Sequence, residues 1–305
     1  MITSRGYRPG DEDGIVALLN LVFGENRSVE WWKWYYLQNP AGAAVARVAV
    51  ADDQIVGFRA MVPYYVGSGM ERVLACQATD AATHPGYRKR GIFRILTSEA
   101  IEEAKARGWS FVFSFPNTRS YPLNARYGWR PVGRPRTHFR WLSGAGSIAR
   151  SGLDQFSSLG TGFEAHCQRP GPAGMARVCK DASYLDWRYL KHPDRTYRVL
   201  GAGLGGDVEA YAVVRMDRAR LPRAYLLEFS PGQLPPAHFL SRIVSYLAAH
   251  RVRLLAAWDG TIPGGNMLGL GFLPHPWRSG ILAVRGLNAL PPSAMGVTMG
   301  DTDYA

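Results

Sequence analysis

Cysteine is scarce in this 305-residue chain. Cys76, Cys167 and Cys179 are an odd set without Cys-x-x-Cys spacing. That excludes a disulfide framework and a cysteine-built zinc site, and each thiol is expected to be a reduced core residue. The seven histidines show no metal-ligand spacing, so a metal centre is not expected. Neither a Gly-x-Ser-x-Gly elbow nor a His-x-Glu paired with Pro-Cys-x-x-Cys occurs, so nothing in the sequence suggests an α/β-hydrolase elbow or a zinc deaminase. No stretch approaches the roughly 20 apolar residues of a membrane helix, and no apolar run follows the basic start. A cytoplasmic protein with no membrane partner is therefore expected. Acid is also locally missing: from Asn117 to Arg140 there are six arginines and no carboxylate.

What is present is a globular composition, 47% hydrophobic, in a length that suits one large or two ordinary domains. Formal charge is +12 with a pI near 9.8, which favours anionic partners without choosing among them. The N-terminal half opens with a short strand around Ser4 to Arg8. Asp11 and Asp13 then cap an amphipathic helix of Ile15, Val16, Leu18, Leu19, Val22 and Phe23 that Gly24 stops. Residues 29–40 carry Trp31, Trp32, Trp34, Tyr35 and Tyr36, a cluster suited either to lining a pocket or to packing under a sheet. Three strands follow, Val45 to Ala51, Gln54 to Val66 and Glu71 to Ala82, joined by Asp52-Asp53 and Gly67-Ser-Gly69 as an antiparallel meander.

The meander leads into His84-Pro-Gly-Tyr-Arg-Lys-Arg-Gly-Ile-Phe-Arg94, a basic turn between an apolar strand and a helix with the stripe Ile92, Ile95, Leu96, Ala100 and Ala104, ended by Gly108. Pro85 and Gly86 break the strand. The amides from Arg88 to Phe93 are then expected to open the helix unpartnered, forming a positive concavity. Gly91 would let a diphosphate approach the backbone, while Arg88, Lys89 and Arg90 add charge-assisted bonds. With the strand Ser110 to Phe115 the segment forms a βαβ unit. The turn itself contains neither Gly-x-x-x-x-Gly-Lys-Ser/Thr nor Gly-x-Gly-x-x-Gly.

At Arg88-x-x-Gly91-x-Phe93 the chain resembles the pyrophosphate loop of the GNAT superfamily of acyl-CoA-dependent N-acyltransferases, which ends in a small residue where this sequence has Phe93. The resemblance spans roughly the first 140 residues and takes in Asn117, Ser120 and Gly128-Trp129. It implies an α/β fold with a mixed sheet, acetyl-CoA or another acyl-CoA as co-substrate, and a small-molecule amine or peptide as acceptor. Ala82, Thr83, Arg88, Lys89, Arg90, Gly91, Ile92, Phe93 and Asn117 would meet the CoA. The thioester oxygen would face the amides near Ala82 and Thr83, where the strand splays. Asp80 would act as general base. The tyrosine that protonates the departing thiolate in many family members is replaced by Asn124, so Tyr121, or else Tyr127, would stand in.

The second half echoes the first. Trp34-Tyr35-Tyr36-Leu37-Gln38-Asn39-Pro40 recurs as Trp187-Arg188-Tyr189-Leu190-Lys191-His192-Pro193, and Tyr127-Gly128-Trp129 as Leu270-Gly271-Phe272. Strands at Tyr197 to Ala202, Val208 to Met216 and Arg223 to Phe229, with a Gly205-Gly206-Asp207 turn, precede a helix from Ala237 to His250 and a strand from Val252 to Trp258. Ser230-Pro-Gly-Gln-Leu-Pro-Pro236 replaces the basic turn, and prolines donate no amide bond. Two tandem GNAT-like domains are expected: residues 1–145, catalytic; a Ser/Gly-rich linker at 146–161; residues 162–290, degenerate; and an irregular tail at 291–305. Direct attack of an amine on acyl-CoA in a ternary complex is the reading. The alternatives are a non-catalytic acyl-CoA sensor and a Fem-like transferase using aminoacyl-tRNA. Retention of Arg88 to Gly91 argues against the tRNA alternative and a nucleic-acid partner.

Overall fold

The structure is a computed structural model that describes residues 1–68, 71–118, 120–144, 146–167, 175–203, 208–264 and 266–302. The Gly205-Gly206-Asp207 turn, Gly69 and the Cys167 side chain lie outside the described part. From the start run β1 (Ile2–Gly6), α1 (Glu12–Phe23), α2 (Val29–Leu37), β2 (Val45–Ala51), β3 (Gln54–Ser68), β4 (Glu71–Thr83), α3 (Ile92–Ala106), β5 (Phe111–Ser114), α4 (Tyr121–Arg126) and β6 (Arg130–Gly133). Then come β7 (Arg136–Trp141), α5 (Ile148–Ser151), β8 (Asp154–Phe156), α6 (Thr161–Cys167), β9 (Ala176–Val178), α7 (Ala182–Leu185) with a wide turn at Asp186–Leu190, and β10 (Arg198–Ala202). The chain closes with β11 (Ala210–Asp217), β12 (Arg223–Ser230), α8 (Pro236–Ala249), β13 (Leu254–Trp258), β14 (Leu273–Ser279), β15 (Leu282–Gly286) and β16 (Met295–Gly296).

Two compact units result. One holds Met1–Val132, His192–Asp194 and Ala283–Ser293; the other holds Gly133–Lys191, Arg195–Leu282 and the residues from Ala294 onward. In the first unit seven strands run β1-β2-β3-β4-β5-β15-β6. Neighbours from β1 to β4 are antiparallel. The β4–β5 pair is parallel and bridged by α3, and β15 returns antiparallel to β5. The second unit repeats that order of pairings as β8-β10-β11-β12-β13-β7-β14, with β12 and β13 parallel and bridged by α8. In each sheet the strand beyond the parallel pair comes from the other half of the sequence: β15 in the first, β7 in the second.

This connectivity departs from the expected boundaries. Residues 146–161 carry α5 and β8, and β8 pairs with β10; Leu153 anchors them in the second core. The tail contains β16, parallel to β9, and a helical turn at Met299–Asp301 closed by a reciprocal Thr298–Asp301 capping box. Its polar composition concealed that Met295, Met299 and Asp301 are buried.

Packing in the first unit explains the aromatic cluster. Trp31, Trp32, Trp34, Tyr35 and Tyr36 are all buried, with Trp31 stacked on Tyr35 at 5.4 Å and Tyr36 edge-on to Phe58 at 5.5 Å. They form core, the second of the two uses the composition allowed. On α1, Ile15, Val16, Leu18 and Leu19 face inward, and Gly24 ends the helix at φ 68°. Asp11 stands at the N-cap, but its carboxylate turns back to Arg5 and the Arg8 amide. On α3, Ile92 and Leu96 pack over β3 at Gly57, where a Cβ would lie 2.5 Å from Ile92 Cγ2. Only glycine permits that approach. Ile95, counted in the apolar stripe, is exposed.

Candidate functional site

The link from β4 to α3 is tight. Pro85–Tyr87 form a 3₁₀ turn in which His84 Nδ1 accepts from the Gly86 amide at 3.2 Å. The Arg88 amide donates to Pro85 O at 3.4 Å, so the outward-facing amides begin after Arg88 rather than at it. Lys89 and Gly91 take left-handed backbone, φ 63° and 78°, which turns the chain into α3. The first bond of that helix runs from Ile95 N to Gly91 O at 3.1 Å, and the preceding amides point away from the helix body. No acid occupies its first turn. Arg88, Lys89 and Arg90 are exposed, with the Arg90 guanidinium 5.1 Å from the Tyr87 ring centre. A Cβ built on Gly91 would meet nothing within 4 Å. Outward amides, three cations and free space over a glycine suit a diphosphate.

Just before this turn, β4 is irregular. Phe58 pairs with Ala82 and Ala60 with Thr79, so Asp80 and Ala81 bulge out, and Asp80 takes φ 42°. Pairing of β4 with β5 involves Cys76 with Val112 and Gln77 with Phe113. Beyond those residues β4 runs on to Thr83 while β5 ends at Ser114, and the two strands part. Ser114 Oγ is buried there and takes no hydrogen bond among the described residues. The opening thus combines a bulged strand with an orphaned polar atom.

Asp80 is held from two sides. Arg27 Nη1 donates to Asp80 Oδ2 at 2.7 Å, and the Tyr36 hydroxyl donates to the same oxygen. The Arg27 and Asp80 side chains are only 8% and 5% exposed. Burial alone would lower the Arg27 pKa, but the neighbouring Asp80 and Tyr36 outweigh it and raise the value. Burial and the Asp80 charge push the Tyr36 phenol well above its ordinary range, so it remains a donor. Sequence reasoning singled out Asp80 but not Arg27, and placed Tyr36 only in the aromatic cluster. Nothing in their spacing signals that positions 27, 36 and 80 meet.

After β5, Asn117 and Ser120 bond reciprocally: the Ser120 amide donates to Asn117 Oδ1 at 2.9 Å and the Asn117 amide to Ser120 Oγ at 3.1 Å. This turn starts α4 with the half-buried Tyr121 as its first residue. Asn124 is buried. Tyr127 packs on Phe93 at 6.0 Å and Arg59 lies 5.8 Å from the same ring, so the residue that replaces a small one in the turn is held by both. A separate concavity of about 540 Å³, lined by Arg130, Arg285 and the loop from Gly286 to Pro291, belongs elsewhere. Gly286 pairs with Phe111, at the end of β5 away from Ser114.

A meander, a bulged fourth strand, a turn of outward amides and a parallel fifth strand define one class of mixed α/β fold. Residues 3–132 match the family described as acetyltransferase (GNAT) domain, so that part of the chain carries a GNAT-type domain. Similar solved structures span 94% of the chain. They include a GCN5-related N-acetyltransferase from Anabaena variabilis, with a TM-score of 0.74 at 13% identity over 73% of that chain. A probable N-acyltransferase from Enterococcus faecalis V583 superposes with a TM-score of 0.69 at 11% identity over 72% of its length. For a GCN5-related N-acetyltransferase from Kribbella flavida the values are 0.67, 12% and 71%. At these identities the likeness establishes the fold. No curated protein matches the sequence. Among the described residues no helix is long and apolar enough to cross a membrane, and no cluster of His, Cys, Asp and Glu is built to hold a metal.

Proposed function

We propose that the protein transfers an acetyl or other acyl group from acyl-CoA to an amine of a small molecule or peptide, by direct attack in a ternary complex. The observation that carries this reading is the bulge at Asp80 and Ala81 beside the parting strands, directly followed by the open turn at Gly91. Amides of Gly91, Ile92 and Phe93 would hold the pyrophosphate, with Arg88, Lys89 and Arg90 neutralising it and Asn117 flanking the thioester arm. Ala82 and Thr83 supply backbone donors for the oxyanion. Acyl-CoA, when bound, supplies an activated carbonyl carbon and a thiolate leaving group.

The amine must lose a proton as its nitrogen bonds to carbon, and the sulfur must gain one as the C–S bond breaks. Asp80 is the assigned proton acceptor, directly or through water. Both of its bonds fall on Oδ2, which leaves Oδ1 for that role. Tyr121 is the assigned donor to sulfur, with Tyr127 as its competitor. The repeated pairing order further supports a tandem of two GNAT-like domains, of which the second, with Pro235 and Pro236 at the start of α8, does not take CoA.

Burial of Asn124 where many relatives place a tyrosine favours one other reading, an acyl-CoA-binding protein without turnover. Calorimetry with acetyl-CoA and a thiol-release assay against a panel of primary amines decide between them. Micromolar binding with amine-dependent thiol release is expected. Binding without release from any amine supports the sensor, and absence of binding overturns both.

A further inference from the structure

The second unit contains the same holder for a carboxylate as the first. Lys180 Nζ donates to Glu228 Oε1 at 2.7 Å and the Tyr189 hydroxyl to that same oxygen at 2.5 Å, just as Arg27 and Tyr36 converge on Asp80 Oδ2. Cation and tyrosine stand nine residues apart in both cases, from 27 to 36 and from 180 to 189. In both, the cation directly precedes the residue whose side chain caps the next helix: Ser28 accepts from Trp31 N at 3.0 Å, Asp181 from Tyr184 N at 2.8 Å. Each carboxylate lies on the strand before the bridging helix, and each of those strands bulges beside it. On β12 the pairing passes from Val213–Glu228 to Val214–Leu226, which leaves Leu227 extra.

The second unit lacks the basic turn, and its tail closes over the carboxylate. Asp301 joins Lys180, and the Met299 amide donates to Thr261 Oγ1 at 3.3 Å. A holder kept where no phosphate turn exists is tied to the strand geometry, not to the donor ligand. We propose that Arg27 and Tyr36 are positioning residues of the acyl-transfer site: by engaging Oδ2 of Asp80 they fix the β4 bulge and leave Oδ1 toward the acceptor. This rests on the transferase reading for its consequence on rate, but not for its consequence on β4.

Arg27→Met, Arg27→Lys and Tyr36→Phe are to be compared in the full chain by hydrogen exchange over residues 78–84, acetyl-CoA affinity, and thiol release with acetyl-CoA and the primary amine most active with wild type. Tyr36→Phe, which removes a single hydroxyl, is expected to fold, to speed exchange in that segment and to lower kcat roughly ten- to hundredfold with acetyl-CoA affinity nearly unchanged. Arg27→Met is expected to do the same more strongly, and Arg27→Lys to restore much of the loss, because lysine fills this place in the second unit. Wild-type exchange and kcat in Tyr36→Phe, or a lysine variant as impaired as the methionine one, overturns the proposal. If wild type releases no thiol, exchange at 78–84 still judges the holder while the transferase reading alone falls. Should Arg27→Met not fold, Tyr36→Phe and Arg27→Lys carry the decision.

Discussion

In the proposed site Arg88 and Gly91 would hold the same anion by different physics, and their substitutions separate the two. Arg88→Ala removes a charge-assisted bond and is expected to weaken acetyl-CoA by about 1.5–3 kcal/mol without touching stability, since the side chain is exposed. Calorimetry of the folded variant reads it. Gly91→Val forces a β-branched residue to φ 78° and fills the free space above the turn, so both affinity and melting temperature should fall. Asp80→Asn tests the chemistry. It should leave acetyl-CoA affinity in place while lowering the rate roughly 100-fold or more. It also leaves Arg27 buried beside a neutral amide, which costs on the order of a few kcal/mol, so turnover must be measured well below the melting temperature and scaled to the folded fraction.

Among elements, α3 couples the core to the turn. Gly57→Ala would place a methyl 2.5 Å from Ile92 Cγ2 and must lift the first turn of the helix. A loss of about 1–3 kcal/mol in urea unfolding, with weaker acetyl-CoA binding, is expected. The start of α1 carries a pH dependence of its own. Asp11 is held below the usual carboxylate range by the Arg5 side-chain bond, and Glu12 by the Tyr7 hydroxyl. Groups with a depressed folded pKa contribute stability above their unfolded values and lose it as pH falls through the folded ones. Wild type should therefore lose stability from about pH 5 downward, and Asp11→Asn should be less stable than wild type at pH 7, with the gap narrowing as pH falls below the usual carboxylate range. Thermal melts across that range check the sign. Element limits were largely legible in the sequence: Val45–Ala51, the start of β3 at Gln54 and Gly24 after α1 follow from alternation and from glycine's tolerance of positive φ.

For the molecule as a whole, one acetyl-CoA per chain is expected by calorimetry, because the start of α8 has two prolines where α3 has a glycine and free amides. A stoichiometry near two would contradict the degenerate-copy proposal. The strand exchange makes a second statement. A chain ended at residue 145 keeps every residue of the turn but lacks β15, leaving the β5 edge unpaired. Such a chain is expected to aggregate or melt far below the full-length protein, whereas adding a peptide of residues 280–293 should raise its solubility or thermal stability. The sequence alone determined what depends on local order: the alternation that makes strands, the glycine that turns the chain at 91, the cations beside it, and the prolines that open α8 without amide donors. Tertiary structure decided what depends on residues far apart. The exchange of β7 and β15 rests on hydrogen-bonding edges that any strand can satisfy, so no composition encodes it. The meeting of Arg27, Tyr36 and Asp80 likewise rests on a bulge that exists only once β3 and β4 have paired out of step.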